Sequence, residues 1–158
     1  MKRSLVFGLI AAPIIVALGS ASGLLSGSGY GNPWFDGIAK PWFMPPGWVF
    51  PIAWTTLYAL MGFALGDVLA APPSAARRTA LGLFALQLLL NLAWSSIFFG
   101  AHRVGLALAT IFAIDIVVIA TILAFRRVRP CAALLLIPYP CWLVLATALN
   151  WSILRLNG

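Results

Sequence analysis

Five long apolar stretches constrain this chain more than any other feature of its sequence. They lie near residues 5–25, 46–69, 79–99, 104–125 and 131–154, and a membrane-spanning helix needs about 20 such residues. Hydrophobic residues fill 63% of the 158 positions and charged residues only 8%, which is too apolar for a water-soluble domain of this size. The stretches are continuous, whereas a membrane barrel needs alternating segments of about 10 residues. The sequence predicts an all-α membrane protein, a five-transmembrane-helix bundle that forms one domain over residues 1–158.

The positive charges predict the orientation of this bundle. Because they are scattered over helix ends and not gathered on one face, the net charge of +7 does not indicate a nucleic-acid partner. Seven basic residues fall on one side of the predicted bundle and three on the other: Lys2, Arg3, Arg77, Arg78, Arg126, Arg127 and Arg129 against Lys40, Arg103 and Arg155. The positive-inside rule then places the N-terminus in the cytoplasm and the long loop, residues 26–45, outside. We expect an integral multi-pass protein of a bacterial membrane, the inner one by default and the outer one as the alternative.

A tryptophan- and proline-rich segment leads into the second apolar stretch. Residues 34–58 hold four of the seven tryptophans and four of the eleven prolines. Proline restricts the backbone, so the segment before Gly47 should be a stiff, shaped loop. Tryptophan offers a large flat apolar face with one N–H donor, which suits stacking on a planar ligand or a place at the membrane interface. This pattern indicates a rigid aromatic cover at the mouth of a membrane helix.

Three of the predicted helices each carry aromatic and amide side chains on one face, at helical spacing. These faces are Phe50, Trp54, Tyr58 and Met61; Gln87, Asn91, Trp94 and Phe98; and Tyr139, Trp142, Ala146 and Asn150. The plain alternative is an ordinary aromatic core with amide hydrogen bonds between helices. The convergence of three such faces beneath a rigid aromatic loop favours a pocket for a planar ligand, because such pockets are mostly apolar with a few placed polar groups.

Four other residues could carry chemistry. Asp115 is the one carboxylate deep inside a predicted span, so it should face the bundle interior and find a hydrogen-bond partner. His102, the lone histidine, lies at a helix junction, and we expect a loop residue and not a haem ligand. Cys131 and Cys141 are ten residues apart on one predicted helix, too far for a disulfide, and we expect buried free thiols. The sequence predicts no metal site and no required cofactor.

Several motifs resemble those of the TspO/translocator protein family, the tryptophan-rich sensory proteins also called peripheral benzodiazepine receptors. The likeness covers four of the five predicted helices in order. It rests on Lys40-Pro41-Trp42-x-x-Pro45-Pro46-Gly47-Trp48-Val49-Phe50-Pro51, Trp54-Thr55-x-Leu57-Tyr58, Gln87-x-x-x-Asn91-x-x-Trp94, Phe98-Phe99-Gly100, Pro138-Tyr139-x-x-Trp142 and Ala146-Thr147-x-Leu149-Asn150.

The resemblance implies a homodimeric five-helix bundle whose pocket is closed by the first loop. It further implies binding of porphyrins such as protoporphyrin IX and of hydrophobic drug- or sterol-like ligands, so that the protein would be a receptor, sensor or carrier with porphyrin as its ligand. Together, the resemblance and the helix faces predict nine ligand-binding residues: Trp42, Phe50, Trp54, Tyr58, Asn91, Trp94, Trp142, Leu145 and Ala146.

The alternative that the resemblance leaves open is enzymatic. Family members have been linked to light-dependent porphyrin breakdown, for which Trp54 and Trp142 are the matching residues. The residues themselves supply no acid–base site that would demand catalysis, so we prefer binding. Sterol recognition by the C-terminal motif of animal members is not expected, because residues 150–155 lack its tyrosine.

Overall fold

The computed structural model describes residues 2–158, which form helices and no strands. The helices are α1 Lys2–Leu25, α2 Pro33–Gly37, α3 Val49–Leu69, α4 Ala75–Ser95 with a π-helical turn Ser96–Gly100, α5 Val104–Val128, α6 Pro130–Leu135 and α7 Pro138–Asn157. Five of these segments are long and apolar enough to cross a membrane: α1, α3, α4 with its π-helical turn, α5, and α6 with α7. The predicted five-helix membrane fold is confirmed.

The ends of the spans differ from the prediction where proline and capping residues act. The second span starts at Val49 and not at residue 46, because the Pro46 carbonyl oxygen accepts from the Val49 N–H (3.0 Å) in a turn before the helix. The third starts earlier than predicted, since the Ser74 hydroxyl caps α4 by accepting from the Arg77 N–H (3.1 Å). The fifth is broken between α6 and α7, where Pro138 cannot donate a backbone hydrogen bond.

Glycines decide how closely α1 and α3 pack. A Cβ atom at Gly62 would overlap the backbone of Ala12, and one at Gly66 would overlap the backbone of Gly8. Small residues of this kind let helices approach where lipid supplies no hydrophobic drive. Gly8 and Ala12 therefore lie at a helix contact, and their partner is α3.

The bundle has two halves that differ in packing. The closed half comprises residues 8–12 of α1, 61–68 of α3, 80–84 of α4, 118–125 of α5, and α6. Its centre is fully buried at Met61, Val68 and Phe125, and the Phe84 and Phe125 rings stack with centroids 5.8 Å apart. The cavity half comprises residues 19–25, 48–58, 91–114 and 142–153, and there the helices enclose a space.

The first loop carries a short helix that the sequence analysis missed. Asn32 caps α2, because its side-chain oxygen accepts from the N–H groups of Trp34 (3.0 Å) and Phe35 (3.2 Å). Asn followed by Pro33 at the first helical position is a recognisable start signal. Before it, Gly27, Gly29 and Gly31 have φ angles of +63°, +98° and +95°, which favour glycine and allow the chain to reverse direction.

The expectation of buried thiols on one helix is wrong. Cys131 lies on α6 and Cys141 on α7, on either side of the break, and both are exposed on the surface of the bundle. A membrane helix needs apolar side chains towards lipid as well as towards the core, so an apolar sequence context does not show that a cysteine is buried.

Candidate functional site: an aromatic cavity below the first loop

The cavity half surrounds a half-open space of about 950 Å³. Its walls come from α1, the first loop, α3, α4 with its π-helical turn, α5 and α7. Ligand sites in proteins are typically about 300–1,000 Å³, mostly apolar with a few polar groups. The size and composition of this cavity therefore suit a large, flat, largely apolar molecule.

Aromatic rings from α3 and α7 form one wall of the cavity. The Trp142 centroid lies 5.9 Å from that of Phe50 and 6.3 Å from that of Trp54, both edge to face, and Trp54 stacks on Tyr58 at 5.3 Å. All four side chains line the cavity. The backbones of α3 and α7 hardly approach each other, so these rings, and not helix-to-helix packing, fill the gap between the two helices.

A three-residue hydrogen-bond chain forms the polar floor. The Tyr58 hydroxyl donates to the Asn91 side-chain oxygen (2.7 Å), and the Asn91 amide donates to the Tyr139 hydroxyl (2.7 Å). This chain links α3, α4 and α7 inside the membrane, where unpaired polar groups are costly. Tyr58 and Asn91 line the cavity, whereas Tyr139 is buried just outside its lining.

A second pair of hydrogen bonds holds the α4 wall of the cavity in place. The Trp94 indole N–H donates to the Asn150 side-chain oxygen (3.3 Å), and the Asn150 amide donates to the Val104 carbonyl oxygen (3.0 Å). Trp94 also stacks on Phe98 with centroids 5.0 Å apart. These contacts fix the α4 wall against α5 and α7, so both Trp94 and Asn150 are held in place where they line the cavity.

The first loop covers the cavity and is anchored on one side. Phe35 is buried against Phe98 and Phe99, and Trp34 stacks on His102 with centroids 4.3 Å apart. The Asn157 side chain accepts from the Ala39 N–H and donates to the Ala39 carbonyl oxygen, both at 2.9 Å. The loop is thus held by the ends of α4, α5 and α7.

Seven of the nine sequence-predicted ligand residues line this one cavity, and two lie outside its lining. Those that line it are Phe50, Trp54, Tyr58, Asn91, Trp94, Trp142 and Ala146. Leu145 is half-buried on a neighbouring face of α7. Trp42 is 95% exposed and points away from the bundle. Trp42 lies in a turn in which the Met44 N–H donates to the Pro41 carbonyl oxygen (3.0 Å), and its side chain stays outside the cavity lining.

Sequence reasoning predicted that the first loop closes the pocket, but it missed the lining residues that α1 and the loop contribute. Gly19 and Gly23 border the cavity, and so do Phe35, Tyr30 and Ile114. The signal for α1 was present in its small residues, but their spacing alone does not tell a helix contact from a cavity wall. Met61 and Gln87, which share faces with lining residues, are buried outside the cavity lining instead.

The remaining candidate residues lie apart from the cavity. Asp115 accepts a hydrogen bond from the Thr147 hydroxyl (3.3 Å) between α5 and α7, so the expected partner is present. His102 is an exposed junction residue, as expected, with a φ of +56°. Residues 2–158 contain no cluster of three or more His, Cys, Asp or Glu side chains able to hold a metal ion.

This fold and cavity define a class: polytopic membrane proteins with a ligand-sized aromatic chamber below an anchored loop. Residues 10–156 match the sequence profile of the TspO/MBR family. Relatives include the tryptophan-rich sensory protein of Cereibacter sphaeroides, 42% identical over 80% of this chain and 78% of its own length. The human translocator protein is 40% identical over 82% and 78%, and the tryptophan-rich protein TspO of Archaeoglobus fulgidus 38% identical over 91% and 92%.

The chain belongs to the TspO/MBR family, as its motifs indicated. It is an integral multi-pass membrane protein, and its family supports a role as a membrane sensor or transporter.

Proposed function

We propose that this protein captures a planar tetrapyrrole, of the protoporphyrin IX type, in the cavity half and thereby acts as a membrane sensor or carrier. The observation that carries the proposal is the wall of Phe50, Trp54 and Trp142 facing a space of about 950 Å³. Aromatic side chains prefer offset or edge-to-face contacts with other ring systems, and a macrocycle offers such a surface on both faces. Hydrophobic drug- or sterol-like molecules are further candidates for the same space.

The polar groups of the cavity would orient the ligand. Asn91 and Tyr58 are already paired with each other, so a ligand acceptor or donor would share them or replace one bond. A propionate group of the ligand would not pair with Lys40. The Lys40 ammonium group already donates to loop carbonyl oxygens and lies 4.7 Å from the Phe35 ring centroid. Propionates would instead remain at the loop end, near the polar backbone of the glycine-rich segment.

The test is quenching of tryptophan fluorescence by protoporphyrin IX in detergent or nanodiscs. We expect saturable quenching with a single affinity and a large loss of that affinity in Trp142→Ala. Val144→Ala, on the exposed face of the same helix, is the matched control and should bind as the wild type does. Absence of saturation, or equal affinity in Trp142→Ala, would contradict the proposed site.

Light-dependent breakdown of the bound porphyrin is a second proposal, favoured by one observation. Trp54 and Trp142 line the same cavity with centroids 6.3 Å apart, so either could donate an electron to an excited ligand held there. The ligand would pass that electron to dioxygen, and the tryptophan would recover an electron from the porphyrin, so that overall the porphyrin is oxidised and dioxygen is reduced. Illumination of the complex in air should then bleach the porphyrin faster than illumination of free porphyrin, and Trp142→Phe should slow the bleaching. Equal bleaching rates for bound and free porphyrin would contradict this second proposal and support ligand binding without breakdown.

We also propose the orientation that the charge bias favours: N-terminus cytoplasmic and first loop outward, in a bacterial inner membrane. In a Cys131→Ser/Cys141→Ser background, Ser28→Cys should react with an impermeant thiol reagent from outside and Ser74→Cys should not. The reverse pattern would invert the topology. The family resemblance also favours a homodimer, which crosslinking in native membranes would test.

A further inference from the structure

We infer that the cavity is loaded sideways from the bilayer, through a portal between α1 and α3, and not from above through the first loop. This inference rests on the proposed function, since it concerns the route by which a ligand of that cavity arrives. It assigns a role to a lipid-facing opening bordered by Ser20, Gly23 and Leu24 on α1, by Trp48 just before α3, and by Pro51 and Thr55 on α3. All six border the cavity.

The portal has a lower limit at Gly19. There α1 and α3 touch, because a Cβ atom at Gly19 would overlap the Tyr58 ring, and this contact continues into the tightly packed closed half. One turn higher the helices have separated. A Cβ atom at Gly23 would find no atom of α3 within 4 Å, only Ser28 of its own chain segment at 3.9 Å.

The upper limit of the portal is the contact between Tyr30 and Gly47. A Cβ atom at Gly47 would come 2.9 Å from the Tyr30 ring, so the loop lies directly on the segment that leads into α3. Between the two limits, the bordering side chains are exposed and not packed across the gap: Leu24 is 83% exposed and Trp48 66%. The portal therefore lies within the terminal turns of two helices that are long and apolar enough to cross a membrane, on their exposed side.

The route from above is blocked by the contacts that anchor the loop. To open it, the molecule would have to break both Asn157–Ala39 hydrogen bonds and separate the Trp34–His102 stack. Phe35 would also leave its buried site between Phe98 and Phe99. The portal needs no such rearrangement. An apolar ligand dissolved in the membrane is already concentrated at the depth of the portal, so the route also suits the class of ligand.

The experiment measures the association and dissociation rates of the ligand separately from its equilibrium affinity. A residue in an access route changes the association and dissociation rates by the same factor, whereas a residue that contacts the bound ligand changes their ratio. We would measure both rates with protoporphyrin IX by stopped-flow tryptophan quenching in phosphatidylcholine nanodiscs. The variants are Ser20→Phe and Thr55→Phe, which place a ring in the portal from either side. Ala21→Phe, on α1 but outside the lining, is the matched control. Asn157→Ala releases the loop.

We expect the association rate to fall by about tenfold in each portal variant, and the dissociation rate to fall with it. Ala21→Phe and Asn157→Ala should keep wild-type rates. Unchanged rates in both portal variants, a changed Kd with an unchanged association rate, or faster association in Asn157→Ala would each overturn the portal. Absence of saturable binding in the wild type would instead be the failure of the proposed function, and the portal would fall with it.

Discussion

At the closed half of the bundle, α1 and α3 touch backbone to backbone, and at the cavity half the same two helices part. Glycine makes the first arrangement possible, since side chains at Gly62 and Gly66 would overlap α1. In the cavity half Gly23 serves the opposite purpose, because it leaves space that no residue of α3 fills. The same residue type therefore brings helices together in one half and keeps a space open in the other.

The two halves also use aromatic rings differently. In the closed half, Phe84 and Phe125 stack in the core and leave no space between them. In the cavity half, Trp54, Trp142 and Phe50 stand edge to face around a chamber. A cavity forfeits dispersion contacts along its lining, so the closed half must supply the stability that the cavity half gives up. Changes in the closed half should therefore alter stability first, and changes in the cavity half should alter binding first.

The largest expected effect is that of Gly62→Ala in the closed half. Because the new methyl group would overlap the Ala12 backbone, we expect the free energy of unfolding to fall by about 3 kcal/mol. The measurement is reversible unfolding in mixed micelles. The control is Gly82→Ala, on an open face of α4 with no atom within 4 Å, which should be neutral or stabilising by up to about 1 kcal/mol. Equal effects of the two changes would mean that α1 and α3 do not pack as described.

The boundary between the halves is tested by Asn91→Leu. This change removes both 2.7 Å bonds and leaves the Tyr58 and Tyr139 hydroxyl groups without partners, which should cost about 2 kcal/mol of stability. Replacing all three members (Tyr58→Phe, Asn91→Leu and Tyr139→Phe) removes the unpaired groups and should recover most of that loss. A triple variant less stable than Asn91→Leu would contradict this account of the floor.

Within the cavity half, Ala146→Thr should weaken binding while the bundle stays folded. Ala146 lines the cavity one turn beyond Trp142, so the larger side chain takes ligand space and its hydroxyl can bond the Trp142 carbonyl oxygen. We expect protoporphyrin IX affinity to fall by about tenfold, which corresponds to about 1.4 kcal/mol. Ala148→Thr, on the exposed face of α7, is the control. Equal affinities of both variants and the wild type would show that α7 is rotated differently.

The smallest effect is expected at Trp42. Since its side chain is 95% exposed and lies outside the cavity lining, Trp42→Phe should change the protoporphyrin IX affinity by less than about twofold. Trp142→Phe, measured alongside it, should weaken binding clearly more. A loss of affinity in Trp42→Phe comparable to that in Trp142→Phe would mean that the loop turns inward when a ligand binds.

Individual residues show how far sequence reasoning reached into the site. The helical spacing of Phe50, Trp54 and Tyr58 placed them on one face, and that face does line the cavity. Met61 follows the same spacing yet is fully buried in the closed core, because a stripe does not say where along the helix the cavity ends. The aromatic wall comes from α3 and α7, which pack against different neighbouring helices. The distance between these two helices therefore depends on how the whole bundle packs.

Trp42 and Gly23 show that residue type alone does not predict which residues line the cavity. Trp42 has the residue type of a ligand contact, but the turn from Pro41 to Met44 leaves its side chain outside the bundle. Gly23 has no side chain to suggest a role, and it borders the cavity because α1 and α3 diverge above Gly19.

The sequence by itself determined the five membrane spans, their order and the family, because a bilayer demands long apolar helices whose residues are contiguous in the chain. The tertiary structure decided which faces enclose space, how the loop is anchored and where the cavity meets lipid. Those properties depend on distances between helices, and contacts such as Gly62 on Ala12 or Asn157 on Ala39 join residues far apart in sequence. The local sequence pattern determines where each helix forms, whereas the space between the helices depends on how they pack against one another.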